Sequence, residues 1–426
     1  MVYVLNTDGA PLMPCSAAIA RLLLKEGHAR VKCRTPFTLK LLRIPETTYT
    51  QSLTHGVDTG SDKIGSTVVT QQGDVVYTSE VTVRNDINKK MTGRKSCRRN
   101  RRSRKTRYRE ARFANRGNSI RPDRFSPTMT SKINAHLKEV SYVASILPIT
   151  TLIVETGNFD PHALKNPDVL KDSSLYQKGV NYGFANTKAY VLCRDDYVCQ
   201  HCKGKSKDTR LHVHHLVYRS NGGSDDEANL LTLCETCHRG VHDNSIVLKK
   251  NGKRKGQLKH ATQMNSIRVQ CLRALPHAQE TFGFITKEHR QLLGLEKSHI
   301  NDAAVIASQG NMINFNDVKL LEKKCVSDGD YQQMKGIRGQ QRIPTGKIKG
   351  FRKFDKVRYQ GVDCFIKGRM STGYAILMDI NGEKLTFNNI PKLNGMKRLS
   401  ARTSWIMISA RTSWIMSQKT TANICS

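Results

Sequence analysis

The chain lacks the apolar segments of a secreted or membrane protein. Trp occurs only 2 times in 426 residues, and aromatic residues make up 6% of the sequence. No uninterrupted apolar run approaches the roughly 18 residues that cross a bilayer, because the best candidate, residues 141–154, is broken by Pro148 and several hydroxyls. The N-terminus has no basic segment followed by a long apolar stretch, so no secretory signal is expected. These absences exclude secreted and membrane-embedded proteins.

Acidic residues are also scarce. Lys and Arg number 70 against 35 Asp and Glu, which leaves a net charge of +35. Such an excess indicates a polyanionic partner, most commonly nucleic acid. Hydrophobic residues still make up 38% of the chain, enough for several small cores, and the length predicts two to four domains.

Twelve cysteines are too few to form a disulfide scaffold in a chain of this length. Four of them form two C-x-x-C pairs, Cys199/Cys202 and Cys234/Cys237, the spacing of a tetrahedral zinc site. Four thiolates leave no open coordination position, so this zinc would be structural. The alternative is redox-active or buried free thiols. The metal-type spacing favours a reducing compartment and hence a cytoplasmic protein.

The most basic segment lies inside the chain. Between residues 94 and 116 there are twelve basic residues against the single acid Glu110, with no Pro or Gly. Such a block can be a disordered basic tail, but its internal position and its good helix formers favour a helix that binds phosphates. The basic residues are Arg94, Lys95, Arg98, Arg99, Arg101, Arg102, Arg104, Lys105, Arg107, Arg109, Arg112 and Arg116.

Histidines cluster between and after the cysteine pairs. The segment Leu211-His212-Val213-His214-His215, then Asn229, then Cys237-His238 resembles an HNH endonuclease finger, a ββα-metal unit. The resemblance implies that His215 activates the attacking water. It also implies that His214 and Asn229 hold or orient one Mg²⁺, with His238 as a further ligand. Since neighbouring strand residues face opposite sides, His214 and His215 must have different roles. For His212, a surface histidine is preferred to a ligand.

Three dispersed carboxylates form a second candidate site. Asp58 and Glu155 end predicted strands, and Asp302 lies in a predicted helix one turn after His299. Singly, such residues are usually solvated or capping. Together they resemble the split RuvC nuclease, an RNase H-like fold, whose acids bind two Mg²⁺ around the scissile phosphate. His299 would share a helix face with Asp302 and handle a proton.

The order of these segments resembles the transposon-encoded IscB family, which is related to RNA-guided CRISPR effector nucleases. Pro11-Leu12-Met13-Pro14 matches the family's N-terminal module, and residues 295–303 match its third RuvC segment. The resemblance spans about residues 1–395. It implies a long structured guide RNA, a double-stranded DNA target with a short flanking motif, and cleavage of one strand by each nuclease. It also implies that residues 94–116 form a bridge helix that grips the guide.

The predicted fold is multidomain α/β: an RNase H-like RuvC core split by an inserted zinc-stapled HNH domain, with a small N-terminal α+β module and a small C-terminal β domain. The predicted segments are 1–52 (PLMP-type module), 53–93 (RuvC I), 94–118 (bridge helix), 119–184 (RuvC II), 185–248 (HNH), 249–330 (RuvC III), 331–398 (basic linker and motif-reading β domain) and 399–426. The last segment repeats Ser-Ala-Arg-Thr-Ser-Trp-Ile-Met and is expected to be a disordered duplication.

The predicted function is RNA-guided DNA cleavage to a double-strand break by a monomeric protein in a ribonucleoprotein. The HNH centre would cut the guide-paired strand and the RuvC centre the displaced strand. The expected setting is the cytoplasm of a prokaryote, at the nucleoid when bound to DNA. Two alternatives are a protein-guided HNH homing or repair endonuclease, and a cleavage-inactive nucleic-acid-binding regulator.

Overall fold

The structure, a computed structural model, describes residues 1–45, 47–105, 125–219, 223–248, 259–315, 318–327 and 346–410. The chain divides into two compact units: Met1–Asn158 with Gln263–Ser426, and Phe159–Thr262. The second unit is thus an insertion in the sequence of the first. Within the described ranges, no helix has the length and apolar character to cross a membrane.

The first strands form a small separate sheet. Its order is β2-β1-β4-β3, with β1 and β4 parallel, and the helix α1 packs on it through Ala20, Leu23 and Leu24. The side chain of Ser16 caps the helix N-terminus. The elements are β1 (Val2–Leu5), β2 (Pro11–Cys15), α1 (Ala17–Lys25), β3 (Ala29–Arg34) and β4 (Phe37–Leu41). This agrees with the predicted α+β module.

A seven-stranded mixed sheet forms the centre of the first unit. Its order is β11-β8-β5-β6-β7-β12-β17, so segments from both sides of the insertion build one sheet. Its strands are β5 (Leu53–Asp58), β6 (Lys63–Thr70), β7 (Val75–Thr82), β8 (Thr151–Thr156), β11 (Gln279–Phe282), β12 (Leu320–Cys325) and β17 (Trp405–Ala410). The strands β5, β8 and β11 are mutually parallel.

Two helices cover the two faces of this sheet. On one face, α9 (His299–Ser308) lies so close to β5 and β6 that a Cβ on Gly56 would be 2.3 Å from the carbonyl oxygen of Ala303. A Cβ on Gly65 would be 1.8 Å from the carbonyl oxygen of His299. On the other face, α3 (Pro127–Ala144) packs Ala135 and Val140 against Val57. The glycines therefore set the position of α9 over the end of β5.

Beneath α3 lies a fully buried ion pair. Lys323 Nζ of β12 is 2.8 Å from Glu139 Oε2 of α3, and both side chains have no exposed area. The hydroxyls of Tyr77 and Ser79 donate to Glu139 Oε1. The Lys323 ammonium also lies 4.7 Å from the ring centre of Trp405. Without these partners, burial of either charge would strongly destabilise the folded protein.

The basic helix begins earlier than predicted. The helix α2 spans Ile87–Lys105 and starts after Asp86, whose carboxylate pairs with Arg84 and Lys90. The predicted helix 94–116 is thus found up to residue 105, and its remaining part lies outside the described residues. Two further helices are α7 (Lys259–Ala274), which begins in the last residues of the second unit and continues into the first, and α8 (Gly283–Leu292).

The inserted unit is built around a short hairpin. The strands β9 (Leu211–His215) and β10 (Leu230–Cys234) pair antiparallel, with His214 opposite Leu231. The helix α6 (Glu235–His242) follows β10 directly, which gives the strand–strand–helix order of the predicted finger. The other helices are α4 (Pro161–Lys165) and α5 (Thr187–Arg194).

The C-terminal part contains a second small sheet and a last strand that was not predicted. The strands β13 (Lys356–Tyr359), β14 (Val362–Arg369), β15 (Ala375–Met378) and β16 (Lys397–Ser400) form a four-stranded antiparallel sheet in the order β15-β14-β13-β16. The expected disorder from residue 399 is wrong up to residue 410. Trp405 and Ile406 are buried, and β17 closes the edge of the central sheet by pairing with β12. Residues 411–426 lie outside the described ranges.

Candidate functional site

The first candidate site gathers the three predicted carboxylates at the carboxyl ends of β5 and β8 in the central sheet. Asp58 and Glu155 are register partners on the parallel strands β5 and β8, so their side chains share a face. The helix α9 brings Asp302 to the same face, where the charges of Asp58 and Asp302 both act on Glu155. Residues separated by 97 and 147 positions in the chain are thus neighbours in space.

Partial burial makes this group electrostatically unusual. Burial, the charge of Asp58 and the charge of Asp302 raise the pKa of Glu155 to about 7. Burial also raises the pKa values of Asp58 and Asp302. Like charges held together out of water favour protonation, and clusters with such shifts are typical of functional sites.

Two basic side chains already contact the carboxylates. His299 Nδ1 is 2.5 Å from Asp58 Oδ2, and this hydrogen bond raises the pKa of His299. Arg290 Nε of α8 lies 2.8 Å from Asp302 Oδ1. Arg290 was not predicted, since nothing in the sequence around it distinguishes it from other arginines. Its contact depends on how α8 packs against α9.

The carboxylate group fits hard divalent cations. Glu155 Oε2 is buried and has no hydrogen-bond partner among the described residues, an arrangement that a bound cation would satisfy. Three oxygen donors on one face suit Mg²⁺. Within the described ranges, the donor oxygens of the three carboxylates do not all lie within 4.8 Å of one another. Two ions held about 4 Å apart need such a wider arrangement.

The second candidate site is a group of three histidines in the inserted unit. One nitrogen from each of His214, His238 and His242 lies within 4.8 Å of the others. His214 comes from β9, and the other two lie one turn apart on α6. Burial, then the neighbouring histidines, lower the pKa of His214 to about 4, so its ring is neutral near pH 7, as a metal ligand must be.

The donor atoms of this group bear on the choice of metal. Three imidazoles leave a fourth position for water or substrate, the arrangement of catalytic rather than structural sites. Nitrogen donors suit Zn²⁺, Cu²⁺, Fe²⁺ or Ni²⁺ better than Mg²⁺, which prefers oxygen. The expectation of Mg²⁺ here came from the family resemblance, and these side chains favour a transition metal instead.

His215 faces away from the buried His214, as strand alternation predicts. His215 Nε2 lies 2.8 Å from Asp225 Oδ1, and Arg219 Nε lies 2.7 Å from the same oxygen. A carboxylate on Nε2 holds the proton there and leaves Nδ1 able to accept one. Asp225 was not predicted, because it belongs to the loop between the strands and its partner is ten residues away.

Asn229 is not brought into the histidine group. Its Oδ1 accepts from the backbone nitrogen of Val217, and its Nδ2 donates to the carbonyl oxygens of Val217 and Ser224. Both ends of the amide are therefore engaged by the backbone of the loop that follows His215. This geometry differs from the predicted role at the metal, because the amide binds the loop backbone instead.

Two more rings flank the histidine group. His212 stacks on His238 with ring centres 4.8 Å apart, and its Nε2 donates to Glu235 Oε2 at 3.1 Å. Tyr218 stacks on His242 with ring centres 5.6 Å apart. The His212 side chain is half-exposed, and its ring packs against His238 of the group. From the sequence, a surface histidine was preferred to a metal ligand at this position.

The four predicted cysteines converge. The sulfur atoms of Cys199, Cys202, Cys234 and Cys237 lie within 4.8 Å of one another, and Cys202 Sγ is 3.8 Å from Cys234 Sγ. Tetrahedral Zn–S bonds of about 2.3 Å place the sulfurs of a zinc site about 3.8 Å apart. The set therefore fits a structural zinc at the base of the hairpin, next to the buried Leu233.

Two protein-family models match parts of the chain. The RRXRR protein family model matches residues 2–179, and residues 98–102 read Arg-Arg-Asn-Arg-Arg. The HNH endonuclease family model matches residues 199–244. Residues 199–244 therefore form an HNH endonuclease domain, which supports nuclease activity.

Individual relatives cover short parts of the chain. The type IV methyl-directed restriction enzyme EcoKMcrA of Escherichia coli is 36% identical over 62 residues, 13% of this chain and 22% of that enzyme. Anaredoxin of Nostoc is 31% identical over 65 residues, 15% of this chain and 83% of that protein. Streptococcus thermophilus Cas9 in complex with the AGAA PAM matches at a TM-score of 0.31 and 12% identity, over 43% of this chain and 26% of that chain.

Proposed function

We propose that the chain is an RNA-guided DNA endonuclease of the IscB type, with two independent cutting centres. The observation that carries the proposal is the coexistence of an HNH domain and a convergent carboxylate group in one chain. The central sheet, interrupted in sequence by the HNH unit, supports the assignment of an RNase H-like RuvC core split into three segments. The match spans only 22% of the length of the restriction enzyme EcoKMcrA, so the activity of the whole protein belongs to this proposal.

At the HNH centre, His215 would take the proton of the attacking water on Nδ1, because Asp225 occupies Nε2. Asn229 would keep His215 in place by holding the loop at Val217. His214, His238 and His242 would hold one divalent cation, which would supply positive charge to the scissile phosphate.

At the carboxylate centre, Asp58, Glu155 and Asp302 would hold two Mg²⁺ on either side of the phosphate. His299 would keep its ring at Asp58 and exchange a proton with the water or the leaving oxygen. Arg290, paired with Asp302, would orient that carboxylate. The four cysteines would hold zinc solely to stabilise the HNH unit.

The guide would bind the basic surface that begins at α2. This helix carries Arg94, Arg98, Arg99 and further basic residues, and arginine binds phosphate with two parallel hydrogen bonds. If base pairing reads the target, the protein needs chiefly a positive channel for nucleic-acid backbones. The four-stranded C-terminal sheet would read a flanking motif.

Single substitutions test the two centres separately. We expect His215→Ala, which removes the proton acceptor of the HNH centre, to leave an enzyme that nicks only the displaced strand. We expect Asp58→Ala, which removes a cation ligand of the carboxylate centre, to leave one that nicks only the guide-paired strand. Strand-specific end labels on a guide-matched duplex measure this. If either variant, still folded, cut neither strand, the assignment of two centres would be wrong.

RNA guidance has its own test. After lysis without nucleases, the purified protein should carry a long structured RNA, and stripping that RNA should abolish sequence-specific cutting. Sequencing of the bound RNA identifies the guide. A protein that cuts one fixed DNA sequence without RNA would instead be a protein-guided HNH endonuclease, and one that cuts nothing with any divalent metal would be a regulator.

A further inference from the structure

An exposed aromatic residue directly follows a residue that contacts the carboxylate group, and it has no part in the chemistry described above. Phe284, the second residue of α8, is 70% exposed, although a buried environment is normal for such a side chain. The preceding residue, Gly283, lies directly against the site, because a Cβ on it would be 3.0 Å from Glu155 Oε1. The exposed ring is thus on the residue next to one that contacts a proposed cation ligand.

Phe284 belongs to a small aromatic surface. The ring of Phe282, the last residue of β11, lies parallel to it, with 5° between the planes and 6.0 Å between the ring centres. Phe282 is half-buried, so the strand end supports the exposed ring and limits its orientation. A flat ring supported in this way offers one free face to solvent.

The surroundings of this surface are suited to a phosphate chain. Lys287, one turn along α8, and Lys297, just before α9, are both exposed. The charge of Lys297 acts on Asp58 and Asp302, which places it near the carboxylates. Cations beside an exposed aromatic ring are the combination that binds single-stranded nucleic acid, with phosphates on the cations and a base on the ring.

We infer that Phe284 stacks on an unpaired base of the DNA strand cut at the carboxylate centre, and so selects single-stranded over duplex DNA there. Bases within a duplex are already stacked on both faces, so only an unpaired base can cover the ring without a cost in unpairing. This inference rests on the proposed function and deepens it, since the displaced strand is single-stranded while the other strand pairs with a guide.

The test uses the full-length ribonucleoprotein carrying His215→Ala, so that only the carboxylate centre cuts. Single-stranded DNA with 2-aminopurine reports stacking by fluorescence quenching, with Ca²⁺ in place of Mg²⁺ to prevent cleavage. We expect Phe284→Ala to weaken binding by about 5- to 100-fold, the range found for a lost base–aromatic stack, and to lower kcat/KM for cleavage of the strand similarly. Phe284→Trp should retain both.

Two further variants separate stacking from general apolar contact. Phe284→Leu keeps apolar bulk without a ring, so it should resemble Phe284→Ala. Leu292→Ala removes another exposed apolar side chain, 79% exposed on the same helix, and should change nothing. If Phe284→Leu binds as tightly as the parent, the surface accepts an apolar partner and not a base.

An abasic nucleotide moved stepwise along the strand gives the decisive measurement. The parent should lose affinity at one position of the abasic site, and Phe284→Ala should show no further loss there. Equal loss in both proteins, or an unchanged affinity in Phe284→Ala, would overturn the inference. Quenching that depends on Phe284 without any cleavage by the parent would refute the proposed nuclease centre while leaving the stacking intact.

Discussion

At the scale of single residues, spacing predicted part of the histidine group and did not single out one of its members. His242 follows His238 by four positions, which places both rings on one face of a helix. That spacing was visible in the sequence, but the motif Cys-x-x-Cys-His drew attention to His238 alone. The structure adds His242 to the group and shows that Asn229 serves the loop.

We expect His242→Ala to weaken binding of Co²⁺ at the histidine group by at least tenfold, because one of three protein ligands is lost. Absorption of bound Co²⁺ or titration calorimetry measures this. His201→Ala is the matched control, since His201 is exposed in the same unit. An affinity equal to that of the parent would exclude His242 as a ligand.

At the scale of secondary-structure elements, the buried pair of Lys323 and Glu139 ties β12 to α3. Neither sequence position suggests burial, because Lys323 lies within Glu-Lys-Lys-Cys and Glu139 lies on a mixed helix. Desolvation of two charges is costly, so the partners Tyr77 and Ser79 and the ring of Trp405 are needed to hold them.

We expect Lys323→Met to lower the free energy of unfolding by about 3–5 kcal/mol, since it leaves Glu139 charged and unpaired in the core. The double variant Glu139→Leu with Lys323→Met should recover most of the loss. Urea denaturation followed by circular dichroism measures both, with the exposed Lys319→Met as control. A loss in Lys323→Met no larger than that of the control would show that the pair contributes nothing.

At the scale of the whole molecule, the first unit holds two buried neutral histidines that link its stability to pH. Burial lowers the pKa values of His55 and His136 to about 4. Unfolded histidine titrates near 6.5, so the unfolded chain takes up protons first as the pH falls. The contribution of these two histidines to the free energy of unfolding is therefore fully present above about pH 6.5 and is lost progressively toward pH 4.

We expect each of these histidines to reduce the free energy of unfolding by roughly 2 kcal/mol between pH 7 and pH 5. Denaturant midpoints over this range measure the slope. His136→Gln should make the slope shallower, whereas His277→Gln, at an exposed position of the same unit, should leave it unchanged. A slope identical in His136→Gln and the parent would contradict the assignment.

Local chemistry alone was enough to single out the four cysteines and the adjacent histidines, because metal ligands come from few residue types at restricted spacings, whereas the three acids were proposed from a family resemblance. It also located the strands, helices and basic segment that carry them. The folded chain was needed to reveal Asp225, Arg290, the ion pair under α3 and the last strand at the sheet edge. These depend on contacts between distant segments, and packing of whole elements, not any pattern of neighbours, determines which side chains meet.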